Sequence, residues 1–123
     1  MLALVVDDSR VARSRLRRTL SSRGFQVVEA DNGRSALDLL ATIDAPCVAL
    51  VDWNMPVMNG LEFVRNVRDS DRYQDMILMM VTSESEPKQM VRALHAGADE
   101  YLMKPFTADS LRAKLQILGL AIS

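Results

Sequence analysis

With a single cysteine the 123-residue chain cannot form an internal disulfide, which fits a reducing compartment. Cys47 sits in the apolar run Cys47-Val48-Ala49-Leu50-Val51 and reads as a buried, inert thiol. There is almost no charge imbalance, since 15 basic and 16 acidic residues leave a net charge of −1; the chain therefore lacks the electrostatic footprint of a nucleic-acid binder. It has no apolar run of membrane-spanning length. Its N-terminus, "LALVV", carries neither a basic region nor a small-residue cleavage site, so no signal peptide and a cytoplasmic location are expected. Repeats, linkers and low-complexity tracts are also missing. The only histidine, His95, falls in a helical segment away from any strand end and reads as a surface residue. What remains is 49% hydrophobic and 25% charged, the composition of one globular domain, expected to span residues 1–123.

Five short apolar runs punctuate this chain: Leu2–Val6, Gln26–Ala30, Cys47–Val51, Met76–Val81 and Asp99–Met103. Three are nearly continuous in Val, Leu, Ile and Met, as strands buried on both faces of a parallel sheet are. Between them apolar residues recur at helical spacing: Ala12/Leu16/Leu20, Ala36/Leu37/Leu40, Phe63/Val64/Val67, Met90/Val91/Leu94 and Leu111/Leu115/Leu118. Thr107 fits a cap for the last helix and Pro87 the first turn of the one before. Asn59-Gly60 reads as a turn whose Asn enters left-handed geometry. Five strand–helix units predict an α/β fold, a five-stranded parallel sheet with helices on both faces. In such sheets ligands bind beyond the carboxyl ends of the strands.

Those ends carry chemistry. Asp7 and Asp8 close the first strand, Asp52 the third and Thr82-Ser83 the fourth, and Lys104 follows the fifth. One aspartate after a strand is explained by helix capping, for which Asp8 or Ser9 would serve. Two adjacent ones are not, because ionised carboxylates about 5 Å apart repel by roughly 3 kcal/mol at an effective dielectric of 20. If the first and third strands are neighbours, three carboxylates converge into a hard-oxygen site suited to Mg²⁺. Thr82 and Lys104 would complement an anion with equatorial oxygens, as phosphoryl transfer requires. An aspartate can itself be the nucleophile.

From "LVVDDS" through "VDWNMPVMNG" and "MMVTSES" to "AGADEYLMKPF" the sequence resembles a response-regulator receiver domain of the single-domain, CheY-like kind. The resemblance implies a flavodoxin-like strand order, 2-1-3-4-5. It implies Asp52 as phosphoacceptor, with Asp8, Asp52 and the backbone carbonyl of Asn54 contacting Mg²⁺ and Asp7 helping through water. Thr82 and Lys104 would hold the phosphoryl oxygens, and Tyr101 would be an aromatic switch that turns inward as Thr82 is drawn to the phosphoryl group. Asn54 and Glu84 fall where the family tunes phosphoryl lifetime. Pro105 matches a usually cis proline, and Gly60 has a structural place. The implied partners are a sensor histidine kinase or phosphotransfer protein as donor and an output protein bound by a surface around residues 84–118. Neither nucleic acid nor membrane is expected as a partner. The chain would be a phosphoacceptor rather than a classical enzyme, a monomer, with dimerisation on phosphorylation as the alternative.

Three other classes compete. A haloacid-dehalogenase-type phosphatase would place a second acid where Asn54 stands, and would need a cap domain. A flavin carrier of similar fold would need a Ser/Thr/Gly-rich loop where the chain has Asp7-Asp8-Ser9-Arg10. A receiver cut from a longer regulator would have lost its output module. The arginines of the first helix (Arg10, Arg13, Arg15, Arg17, Arg18) read either as a docking face for an acidic kinase surface or as a solvated face.

Overall fold

The computed structural model describes residues 1–120; the last three positions of the expected 1–123 domain lie outside the described residues. The strands are β1 (Leu2–Val6), β2 (Gln26–Ala30), β3 (Val48–Val51), β4 (Ile77–Thr82) and β5 (Glu100–Met103). They alternate with the helices α1 (Arg10–Ser21), α2 (Gly33–Leu40), α3 (Gly60–Arg68), α4 (Pro87–Ala96) and α5 (Ala108–Ile117), and a short 3₁₀ turn, Asp71–Tyr73, precedes β4. All strands pair in parallel in the order β2-β1-β3-β4-β5, which is the flavodoxin-like order.

The continuous apolar runs follow from two cores, one on each face of the sheet. Ala3, Val5, Val48, Leu50, Met79 and Val81 point to the side covered by α1 and α5, where Leu16, Leu20, Leu111 and Leu115 meet them. Leu4, Val6, Ala49, Val51, Leu78 and Met80 point to the side covered by α2, α3 and α4. Successive strand residues face opposite ways, so a central strand covered on both faces has no polar position to alternate with.

The helix starts are built as short polar side chains dictate. The Ser9 hydroxyl accepts the Ala12 N–H, so Ser9 caps α1 and neither aspartate beside it is needed for that task. Thr107 caps α5 in a reciprocal box with Ser110, and Pro87 opens α4. Asn59 differs from expectation: its backbone is extended, and it caps α3 in a reciprocal box with Glu62. The left-handed residue of that loop is Val57, at φ 67°. Two strands start one residue late. Cys47 and Asp99 pair into the sheet through their backbones, but β3 begins at Val48 and β5 at Glu100. β4 is shifted by one, from the expected Met76–Val81 to Ile77–Thr82, because the Met76 N–H still closes a turn onto the Tyr73 carbonyl. Cys47 is half-buried rather than buried; its thiol donates to the Leu2 carbonyl at 3.3 Å, and partial burial pushes its pKa up.

Candidate functional site

The carboxyl ends of β1, β3 and β4 and the loop after β5 meet at one rim. Strand order explains why, since β1 and β3 are hydrogen-bonded neighbours with Val6 opposite Val51. The residues that follow, Asp7 and Asp52, therefore emerge side by side. Carboxylate oxygens of Asp7, Asp8 and Asp52 lie within 4.8 Å of one another. Asp7 is 1% exposed and Asp52 9%, whereas Asp8 is exposed. The Lys104 ammonium reaches in from the β5–α5 loop, 2.7 Å from Asp7 Oδ2 and 3.5 Å from Asp52 Oδ2. One ammonium thus answers the two buried carboxylates of a cluster of three. The Lys104–Pro105 peptide ahead of α5 is cis, and Pro105 itself is exposed.

Each carboxylate is held differently. Asp7 Oδ1 accepts the Ser9 N–H at 2.9 Å, and its own backbone N–H is tied to the Ala30 carbonyl of β2 at 3.1 Å. Asp52 Oδ1 accepts the Trp53 N–H at 2.8 Å. Its pKa is raised from the ordinary carboxylate value, first by burial and also by the charge of Asp7, against the lowering effects of the Thr82 hydroxyl, Lys104 and the Trp53 N–H. The Trp53 side chain is buried in the core beneath α2, α3 and α4.

Gly60 makes this crowding possible. A β-carbon there would fall 2.1 Å from the backbone oxygen of Asp52, so only glycine lets α3 begin against the strand end. Its N–H donates to the Trp53 carbonyl at 2.9 Å. Asn54, two residues past Asp52, is exposed.

Thr82, fully buried at the end of β4, accepts the Glu84 N–H at 3.2 Å. The Glu84 carbonyl in turn accepts the Tyr101 hydroxyl at 2.6 Å. Tyr101 is 6% exposed, with its hydroxyl on protein and not in water. The ring is therefore already turned inward while Thr82 is held by Glu84, and not, as expected from the resemblance, only once Thr82 is drawn to a phosphoryl group. Burial first, and the charges of Glu84 and Asp52 after it, push the phenol up to about 12. His95 is exposed in the last turn of α4, away from the rim.

Sequence reasoning left Arg13 among the helix arginines as a docking or solvated residue. The structure puts its Nη1 2.6 Å from the backbone carbonyl of Asp7. The signal available was its place one turn past Ser9, from which a helical side chain reaches back toward the strand.

The donor set of three carboxylates is one that could hold a hard divalent cation. Comparison with known proteins points the same way. The family described as the response regulator receiver domain matches residues 3–116. The "Chemotaxis protein CheY homolog" of Campylobacter jejuni is 45% identical over 121 residues, covering 97% of this chain and 93% of that one. "Chemotaxis protein CheY1" of Helicobacter pylori is 40% identical over 119 residues, 96% of each. The solved structure of the Vibrio cholerae chemotaxis response regulator CheY4 superimposes with a TM-score of 0.88 at 36% identity, covering 95% of this chain and 97% of that one.

Proposed function

This chain belongs to the response regulator receiver family and is a two-component response regulator, and on that premise we propose that Asp52 accepts a phosphoryl group from a phosphohistidine of a sensor kinase or phosphotransfer protein. The observation that carries the reading is the cluster of Asp7, Asp8 and Asp52 with Lys104 reaching into it and Thr82 at the neighbouring strand end.

Asp7, Asp8 and Asp52, with the Asn54 backbone carbonyl, would hold Mg²⁺, which supplies positive charge that offsets carboxylate repulsion and orients the incoming phosphoryl oxygens. A carboxylate oxygen of Asp52 attacks phosphorus; the new O–P bond forms as the P–N bond to imidazole breaks. The Trp53 N–H on Oδ1 fixes the carboxylate plane, so the attacking oxygen is presented without a search over rotamers. The Lys104 ammonium then moves from Asp7 and Asp52 to the phosphoryl oxygens, and the Thr82 hydroxyl donates to them. Asp52 is left modified at the end of this step and is not regenerated in it, so the chain acts as a phosphoacceptor that assists its own modification. Asn54, exposed two residues past Asp52, and Glu84, two residues past Thr82, stand where the family tunes phosphoryl lifetime.

Thr82 and Tyr101 couple the site to the surface. Both act on Glu84, Thr82 at its N–H and Tyr101 at its carbonyl. A Thr82 drawn toward a phosphoryl group shifts the loop that Tyr101 latches, and so reshapes residues 84–118. On this face Val91 is 54% exposed beside Lys88 and Arg92, which line a cavity of about 660 Å³. Lys114 and Arg112 are already paired with Glu100 and Asp109. An acidic segment with an apolar anchor is the partner this chemistry fits. The chain's similarity to chemotaxis proteins of Campylobacter jejuni and Helicobacter pylori supports chemotaxis as the pathway.

The test is incubation with Mg²⁺ and acetyl phosphate. One hydroxylamine-labile phosphoryl group should appear on Asp52 and none in Asp52→Asn. Stable modification of His95 or of a serine would contradict the assignment. Profiling phosphotransfer against the sensor kinases of the same genome identifies the donor.

A further inference from the structure

One turn into α1, Arg13 ties three elements together. Its Nη1 donates to the Asp7 carbonyl at 2.6 Å, and its Nε donates to Glu29 Oε1 in β2 at 3.2 Å. The side chain is only 17% exposed. Glu29 is fixed in turn: its second oxygen accepts from Arg17, whose Nη2 also donates to the Val27 carbonyl. The Asp7 carbonyl is where the sheet stops supplying partners. A continuing parallel ladder would pair it with β2, but β2 ends at Ala30 and the chain turns at Asn32 into α2. The planar fork of an arginine can take this carbonyl with one nitrogen and a carboxylate with another; a lysine cannot hold both in fixed geometry.

We propose that Arg13, oriented by Glu29, is a positioning residue for the acidic cluster: by fixing the peptide plane between Asp7 and Asp8 it sets how both carboxylates converge, and so sets Mg²⁺ affinity. This rests on the Mg²⁺ reading of the site. Asp7 is then held at four points, by Ala30 at its N–H, Arg13 at its carbonyl, Ser9 at Oδ1 and Lys104 at Oδ2. Arg13 is the one of these that acts on the link to Asp8.

Charge and geometry predict opposite signs, which makes the idea testable. Arg13 is a cation beside an acidic site, so its charge alone opposes a second cation, and deleting it would tighten Mg²⁺ binding. If its geometry dominates, deletion weakens binding.

The experiment is calorimetric titration of Mg²⁺ into wild type, Arg13→Met, Arg13→Lys and Arg17→Met, well below each melting temperature, with Trp53 fluorescence as a second readout. The expected result is a dissociation constant about tenfold higher in Arg13→Met, the size usual for a residue that orients a metal ligand, and a similar weakening in Arg13→Lys. Arg17→Met, which loses a bond to Glu29 but none to Asp7, should stay within about twofold of wild type. Equal or tighter binding in Arg13→Met overturns the proposal, as does a lower melting temperature with unchanged affinity. Should Arg13→Met fail to fold, wild-type affinity in Arg13→Lys overturns it equally. No Mg²⁺ binding in wild type would overturn the reading of the site itself.

Discussion

The two ends of the sheet each hold an aspartate in contact with a cation, and they handle it in opposite ways. At the amino end of β4 and β5, Asp99 Oδ2 accepts the Leu78 N–H at 2.8 Å and an Arg68 Nη2 at 2.9 Å. Arg68 spends its other nitrogens on the Gly97 and Tyr73 carbonyls. One cation serves one carboxylate, and every bond closes locally. At the carboxyl rim two buried carboxylates share one ammonium, and a third, exposed one, Asp8, lies against them without an ion pair of its own among the described residues. The first arrangement joins α3 to the start of β4 and β5. The second is short of positive charge, and burial has already raised the pKa of Asp52. Stability alone would not select it. The proposed role accounts for it, because a site built to receive a cation and then a phosphoryl group would be left short of positive charge.

The same substitution at both ends separates these roles most sharply. Asp52→Asn should lose all phosphoryl uptake from acetyl phosphate, by mass spectrometry, whereas Asp99→Asn should keep it. In urea denaturation the order reverses. Asp99→Asn should be less stable than wild type by about 1.5 kcal/mol, the scale of a charge-assisted hydrogen bond that is partly solvent-screened.

Asp52→Asn, by contrast, should be more stable than wild type by about 1 kcal/mol at neutral pH, a usual return on removing a functional charge. The pH dependence carries the sign. A carboxyl whose pKa is raised on folding binds its proton more tightly in the native state, so its contribution to stability falls as pH rises from the unfolded pKa through the folded one. The gap between Asp52→Asn and wild type should therefore be widest at neutral pH and close on acidification as Asp52 protonates. A gap that widens in acid would break the comparison. The smallest effect expected is that of Tyr101→Phe. Losing the hydroxyl's bond to the Glu84 carbonyl should cost about 1 kcal/mol or less and leave phosphoryl uptake intact, while lowering Glu84 N–H protection from exchange.

Much of this was legible in the chain itself because burial on both faces of a strand removes polar alternation, and the first polar residue at the end of such a run marks the strand's carboxyl end. Asp7, Asp52 and Thr82 stand out for that reason, and so does Lys104 after "EYLM". Strand neighbours were not legible from patterning: that β1 lies beside β3 depends on crossover geometry, and the order came through resemblance. Arg13 was hidden because five arginines in one helix look alike until the helix is docked. Asn59 was misassigned because a polar residue before glycine suits a left-handed turn and a helix cap equally, and the capping box with Glu62 decides it. Val57 took the left-handed position although a β-branched side chain disfavours it, which no propensity would suggest. Tyr101 could be placed on β5 but not inside the loop, since its hydroxyl's partner is a backbone carbonyl 17 residues away.

The most direct test is the stability of wild type and Asp52→Asn at neutral pH across a Mg²⁺ titration. Without Mg²⁺ the variant should be the more stable. With Mg²⁺ wild type should gain by mass action, about 2.7 kcal/mol at a hundred times its dissociation constant, and overtake a variant that responds much less. Parallel responses, or a variant less stable than wild type before any Mg²⁺ is added, would contradict the claim that the rim is kept short of positive charge for the ion and the phosphoryl group it is to receive.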